Sequence, residues 1–215
     1  MIYYRKTLFL QVKIMRILVI SDTHGDCSRV CQVYKKLVSE APLDLIVHCG
    51  DYYSDGKELQ ARLGIRVAGV KGNSDGCYEE DEFLILETEA GNFLVTHGHM
   101  QHVGVGFGTQ RLCYKAEENG CIGALFGHTH RAVYTKAEGM YLMNPGSLSE
   151  PRDNSGGTFG LLVTSENDIW GKIYRYEDFI ERPKAPPSSG SSGSGSKPKV
   201  QGGFLKRILN YSDRF

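Results

Sequence analysis

The sequence predicts an α/β fold: a four-layer αββα sandwich of two mixed β-sheets with helices on the outer faces. Three observations predict it. β-α-β units come early in the chain and a run of strands follows. The apolar, often β-branched runs RILVIS, LIVHC, FLVTH and ALFGH each pass into a polar residue and a glycine. Between the first two of these runs, Val30, Cys31, Val33, Tyr34, Leu37 and Val38 recur at helical spacing over 28–40.

In chain order, the domain is expected to start at Met15, where RILVIS forms the first strand, followed by the helix over 28–40. Leu45–His48 reads as the second strand, 58–63 as a short helix, and 66–70 as the third strand. FLILETE and NFLVTH are two strands joined by a turn at Ala90–Gly91. A helix over 109–118 stops at Asn119–Gly120, a good terminator. Strands over 122–126, 132–136, 140–143, 159–164 and 169–176 complete the domain, which is expected to end at Glu181. Residues 1–14 read as an N-terminal extension, with Met1 and Met15 equally acceptable as the start.

The chain has 215 residues, 40% of them hydrophobic, enough for one domain with a real core. No stretch approaches the roughly 18 apolar residues of a membrane span, and no secretory signal is recognisable at the N-terminus, so a cytoplasmic protein is expected. Six cysteines without a CxxC pair read as free thiols in a reducing compartment. Cys49, beside Asp51, reads as small buried filler or as a functional thiol.

Net charge is zero, which argues against a strongly nucleic-acid-binding surface. Of the 25 basic residues, seven lie in 182–215 and three in 1–14, so 15 remain in 15–181 against 24 of the 25 acids. Residues 182–203 form a Pro/Gly/Ser linker. Residues 204–215, with Phe204, Leu205, Ile208 and Leu209 on one helical face, read either as a frayed end or as a segment that docks on a partner, an anionic membrane or the acidic domain itself.

Seven residues with metal-ligand chemistry stand where the apolar runs end: Asp22 and His24 in SDTHG, Asp51 in HCGD, Asn73 in GNSD, His97 in THGH, and His128 and His130 in GHTH. Strands that end in such residues deliver them to one edge of a sheet. Seven ligands exceed the needs of one ion and suit two that share a carboxylate, for which Asp51 is the natural candidate. Carboxylate, amide and imidazole donors without thiolate favour hard or borderline divalent ions. Mn²⁺ is expected, with Fe²⁺, Zn²⁺ or Ni²⁺ as alternatives. A pair of such ions binds the attacking and leaving oxygens of a phosphoryl displacement and acidifies a bridging water.

In this order and spacing, SDTHG, GD, GN, THGH and GHTH resemble the motifs of the calcineurin-like metallophosphoesterases. The likeness is strongest to small single-domain bacterial and archaeal phosphodiesterases, whose fold also serves as a retromer scaffold subunit, and it covers about 15–180. The resemblance implies one ion on Asp22, His24, Asp51 and His130, and a second on Asp51, Asn73, His97 and His128. It implies hydrolysis of a small phosphodiester or nucleotide-like substrate by a metal-bridging hydroxide. A non-catalytic scaffold and a phosphomonoesterase are the alternatives.

One position departs from the pattern. Larger phosphatases of the superfamily carry a histidine directly after the GN asparagine, where it assists the leaving group; here that residue is Ser74, followed by Asp75. His99 is the protein candidate for that role, or else it orients a ligand. His48 reads as support for Asp51 or as a buried strand histidine. Tyr52 and Tyr53 read as pocket walls or as packing, His102 as a loop histidine with reach toward substrate, and Asn144–Ser147 as a structural turn like one the family has near the site.

Overall fold

The computed structural model describes residues 13–76 and 81–181. The expected linker 182–203, the segment 204–215, residues 1–12 and Cys77 lie outside the described residues.

The described residues form ten strands and four helices, one helix more than the sequence suggests. β1 (Ile14–Ile20), β2 (Leu45–His48) and β3 (Val67–Gly69) run parallel, separated by α1 (Ser28–Glu40) and α2 (Tyr53–Leu63). β9 (Thr158–Ser165) and β10 (Asp168–Arg175) add antiparallel strands on the β1 side, giving the order β10-β9-β1-β2-β3. The second sheet has the order β4-β5-β6-β8-β7. Its strands are β4 (Phe83–Leu86), β5 (Asn92–Thr96), β6 (Cys121–Leu125), β7 (Val133–Ala137) and β8 (Met140–Asn144), and β5, β6 and β8 are parallel. α3 (Gly108–Glu118) connects β5 to β6, and α4 (Tyr176–Glu181) follows β10.

The pleat of β1 shows how the layers form. Ile17 and Val19 point into a core shared with Val47, Phe93, Val95, Leu125 and Met143, which lies between the two sheets. Leu18 and Ile20, one residue out of phase, pack with Val30, Val33 and Leu37 of α1 and Phe179 of α4. On the far side, Leu94 and Ala124 pack with Leu112, Cys113 and Ala116 of α3. A strand covered on both faces must be apolar throughout, which is why RILVIS shows no alternation.

Three elements differ from the sequence reading. α2 begins at Tyr53, five residues ahead of the expected start, because the turn through Asp51 and Tyr52 is made in left-handed backbone (φ 59° and 64°) and the helix starts directly after it. β4 ends at Leu86, so Glu87 and Glu89 belong to the connection rather than the strand. The last apolar residues, 176–181, form the short helix α4 where the sequence suggested only a strand end.

Arg16 in β1 is buried, with 8% of its surface exposed. Its Nη1 donates to the carbonyls of Leu37 (3.0 Å) and Ala41, at the C-terminus of α1, where a cation also meets the negative end of the helix dipole. Burial pulls its pKa down, opposed by Glu40, whose carboxylate lies 4.0 Å from Nη2. Replacing Arg16 with Leu leaves these buried carbonyls unpaired, and a loss of about 2–3 kcal/mol in urea unfolding is expected. A loss below about 0.5 kcal/mol would show that the guanidinium contributes nothing net.

Candidate metal centre

The parallel strands of both sheets end at one edge, and the seven predicted ligands follow their carboxyl ends. Asp22 and His24 follow β1, Asp51 follows β2, and Asn73 follows β3; His97 follows β5, and His128 and His130 follow β6. In open α/β sheets this edge is where binding sites form.

The backbone there is unusual. Asp22, His24, Asp51, His128 and His130 all have positive φ, from 47° to 70°. Left-handed backbone costs a non-glycine residue about 1–3 kcal/mol, so five of the seven expected ligands are held in conformations that local preference opposes. The chain tolerates this through cross-links: Asp22 N donates to Gly50 O (3.0 Å), Gly127 N to His97 O (3.1 Å), and His128 N to Asp22 Oδ2 (3.1 Å). Gly72 and Gly127 are glycines for want of room. A Cβ on Gly72 would run into Oδ1 and the backbone nitrogen of Asp51, and one on Gly127 into Ser21 Oγ.

Asp22, His24, Asp51 and His130 offer donor atoms that all lie within 4.8 Å of one another. Beside them, His97 Nε2 sits 3.3 Å from Asp51 Oδ1 and 3.1 Å from Asn73 Oδ1. The His128 ring centroid lies 5.2 Å from that of His97. All seven predicted residues are therefore brought together. Asp51 lies between the two groups: its Oδ1 faces His97, while Oδ2 is 3.8 Å from His24 Nε2.

Two histidines are oriented by main-chain carbonyls. His97 Nδ1 lies 2.9 Å from Cys49 O and His130 Nδ1 lies 2.6 Å from Glu150 O. A carbonyl only accepts, so each Nδ1 carries the proton and each Nε2 presents a lone pair to the site. Asp22 is fully buried, and among the described residues its Oδ1 has no hydrogen-bond partner; His130 Nε2, 3.2 Å away, has no proton to donate when Nδ1 carries it. Burial pushes the Asp22 carboxyl up; charge on the His130 and His97 rings, with Ser21, outweighs it and lowers its pKa, and a bound cation would supply that charge when both rings are neutral. A buried, ionised carboxylate oxygen without a partner, facing imidazole lone pairs, fits a divalent cation.

The remaining predicted residues take clear places. Ser74 donates twice to the shared carboxylate, N to Asp51 Oδ1 (3.0 Å) and Oγ to Asp51 Oδ2 (2.9 Å). Asp75 ties the loop to α2 by accepting from Gly72 N and Tyr53 N, both at 2.8 Å. His48 is fully buried; Gly50 N donates to its Nδ1 (3.2 Å), so Nε2 carries the proton and donates to Thr23 Oγ1 (2.8 Å). Burial lowers its pKa, and the ring stays neutral as a brace for the SDTHG turn. Tyr52 is 41% exposed and meets the His24 ring edge-on at 5.2 Å. His99 lies beside His97 (5.4 Å) and His128 (6.2 Å), with Nδ1 buried and unpartnered. His102 is exposed on the loop beyond, outside these ring contacts.

The sequence reading missed the supports. Asp55 in the first turn of α2 accepts from Thr23 Oγ1 (2.6 Å) and Gly25 N (2.8 Å). Ser147 Oγ donates to Asp22 O (2.8 Å), and Ser149 Oγ reaches Thr23 O (2.9 Å). Asn144 Nδ2 donates to Gly127 O (2.8 Å). The NPGS segment is thus a turn that also braces the metal loops. No local pattern marks Asp55 or Ser149, whereas Asn144 and Ser147 lie in the NPGS turn that the resemblance places near the site.

The five described cysteines are free and buried. Cys49 belongs to the core between the sheets, and burial pushes its thiol well above the usual value. Burial, reinforced by Asp55, pushes the Cys27 thiol up to about 12. Neither is a thiolate at neutral pH, so iodoacetamide at pH 7.5 is expected to leave both unmodified in the native protein and to label both after unfolding. Native labelling of Cys49 within minutes, mapped by mass spectrometry, would restore it as a reactive group.

Carboxylates and imidazoles converging at the carboxyl ends of parallel strands make a candidate metal-binding cluster. Residues 15–167 match the calcineurin-like phosphoesterase superfamily domain, and the chain belongs to that superfamily of metal-dependent phosphoesterases. It is 36% identical over 156 residues, covering 72% of this chain and 86% of the relative, to the probable metallophosphoesterase YsnB of Bacillus subtilis. Phosphodiesterase MJ0936 of Methanocaldococcus jannaschii is 27% identical, over 61% of this chain and 83% of its own. The fold is also that of Vps29 from Entamoeba histolytica, solved with zinc (TM-score 0.57, 20% identity, 75% of this chain and 99% of that one). Among the described residues, no helix is long and apolar enough to cross a membrane.

Proposed function

We propose that residues 15–181 form a two-metal phosphodiesterase acting on a small, nucleotide-like phosphodiester. Asp22, His24, Asp51 and His130 hold one divalent ion; Asp51, Asn73, His97 and His128 hold the other, with Mn²⁺ as the preferred metal. The observation that carries this reading is the placement of Asp51, whose two oxygens face imidazoles of different groups. When bound, such a pair supplies Lewis acidity toward phosphoryl oxygens and lowers the pKa of water.

The chain's own residues do the rest. Ser74 fixes the Asp51 carboxylate through two hydrogen bonds, so its hydroxyl is committed there and is not aimed at a leaving group. The Cys49 and Glu150 carbonyls fix the tautomers of His97 and His130. His99, beside His97 and His128, would hand a proton to the departing oxygen. Burial and the neighbouring His97 lower its pKa, so its acid form is the stronger acid but the minority species at neutral pH. A site without the histidine that larger phosphatases carry at the Ser74 position favours diesters, whose leaving groups depart more easily than those of monoester dianions.

Bis-p-nitrophenyl phosphate and p-nitrophenyl phosphate, assayed with Mn²⁺-loaded protein, test this. The diester is expected to show the higher kcat/KM, with two Mn²⁺ per chain by elemental analysis. His99→Ala is expected to slow an alkyl diester more than an aryl one, by about 10²-fold for loss of a general acid. Metal-loaded protein inert toward both esters would leave the fold as a scaffold, and a preference for the monoester would reverse the substrate class.

A further inference from the structure

A cavity of about 460 Å³ opens beside the metal centre, with His128 in its wall. Its lining is of two kinds. Phe126, Val105 and Val133 provide apolar surface, with Val105 as much as 73% exposed. Two exposed arginines, Arg131 and Arg152, complete the lining. They come from different segments, one directly after GHTH and the other from the loop that follows β8. That loop is pinned to the site by Arg152 N donating to His130 O (3.1 Å) and His130 Nδ1 donating to Glu150 O (2.6 Å).

Neither guanidinium has an ion-pair partner among the described residues. Asp153, the nearest acid in sequence to Arg152, has its carboxylate engaged by Ala132 N (3.2 Å) and Ser155 N (3.1 Å). Glu150, two residues before Arg152, turns its carboxylate to His24 instead, with Oε2 3.9 Å from His24 Nε2. Two cations without an acid partner among the described residues, on one wall beside the centre, set a direction. A substrate with one negative charge has no use for this asymmetry once its phosphoryl group is on the metals. A substrate with a second negative charge is oriented by it. Arg is suited to that task, because its planar fork matches phosphate oxygens in pairs.

We propose that this cavity is an anion subsite, and that the substrate is a phosphodiester one of whose two substituents carries a further phosphate. Arg131 and Arg152 bind that phosphate, and the walls at Phe126, Val105 and Val133 cover the apolar part of the same substituent. The inference rests on the diesterase reading for its reaction, but not for its binding.

Two p-nitrophenyl esters of thymidine 5′-phosphate, one bearing a 3′-phosphate and one not, separate the possibilities. With Mn²⁺-loaded protein, the 3′-phosphorylated ester is expected to have a kcat/KM at least about tenfold higher, expressed mainly in KM. In the double variant Arg131→Gln/Arg152→Gln the ratio between the two esters is expected to fall toward one. Independently, metal-free protein is expected to bind thymidine 3′,5′-bisphosphate about tenfold more tightly than thymidine 5′-phosphate by calorimetry, a preference lost in the double variant. Equal kcat/KM values with equal binding overturn the subsite and leave the diesterase reading intact. If neither ester is hydrolysed, the diesterase reading fails, and the calorimetric comparison alone decides the subsite.

Discussion

Asp51→Asn is expected to lower phosphodiesterase kcat/KM by about 10³-fold or more, equivalent to about 4 kcal/mol of transition-state stabilisation. Its two oxygens face imidazoles of both groups, Oδ1 toward His97 and Oδ2 toward His24. An amide keeps its shape and its backbone turn, and it still accepts from Ser74 through the remaining carbonyl oxygen. It loses the negative charge and replaces one oxygen by an NH₂ that repels a cation. The bound metal is expected to fall from two ions per chain to one or fewer. Circular dichroism should be unchanged, since the residue lies in a loop and not in a sheet. Full metal content and near-normal turnover in this variant would show that Asp51 is not shared.

Gly72→Ala is expected to be as damaging to the centre, although it removes no polar atom. Its Cβ would overlap Asp51 Oδ1 and the Asp51 backbone nitrogen. Neither is the free end of a flexible chain, so either the GNSD loop or the Asp51 turn must move. A stability loss of about 1–3 kcal/mol is expected from such overpacking, together with loss of metal and of activity. Gly76, in the same segment, offers the control, because among the described residues a Cβ there meets nothing within 4 Å. Gly76→Ala should change unfolding free energy by less than about 0.5 kcal/mol. If the two alanines behave alike in urea unfolding and in metal content, the crowding at Gly72 is not what shapes the loop.

Much of this was legible in the sequence, and the reason is physical. The strands β1, β2, β5 and β6 are buried on both faces, so each had to be a short unbroken apolar run, and each ends where the chain must turn to present a ligand. That combination is visible without any structure. Ligand positions also betray themselves because the turns that carry them need glycines beside them. What stayed hidden is whatever acts across long sequence separations. Asp55 braces Thr23 and Gly25, and Ser147 reaches Asp22 over 125 residues, through bonds that leave no local pattern. The start of α2 was misjudged because Tyr52 in left-handed backbone and Gly56 inside the helix both read as loop. α4, at six residues, is held by packing of Phe179 rather than by its own propensity. Arg131 and Arg152 looked like ordinary surface charges until the fold placed them on one cavity.

The expected ligands divide four to three by origin: Asp22, His24, Asp51 and Asn73 belong to loops of one sheet, and His97, His128 and His130 to loops of the other. Each proposed ion would therefore be gripped by both halves of the sandwich, as a rivet joins two plates. Prising the sheets apart at that edge then requires the metals to leave. Binding free energy gained at the centre is transmitted to the whole fold. Resistance of the molecule to unfolding and to proteolysis becomes a measure of how much metal its surroundings supply.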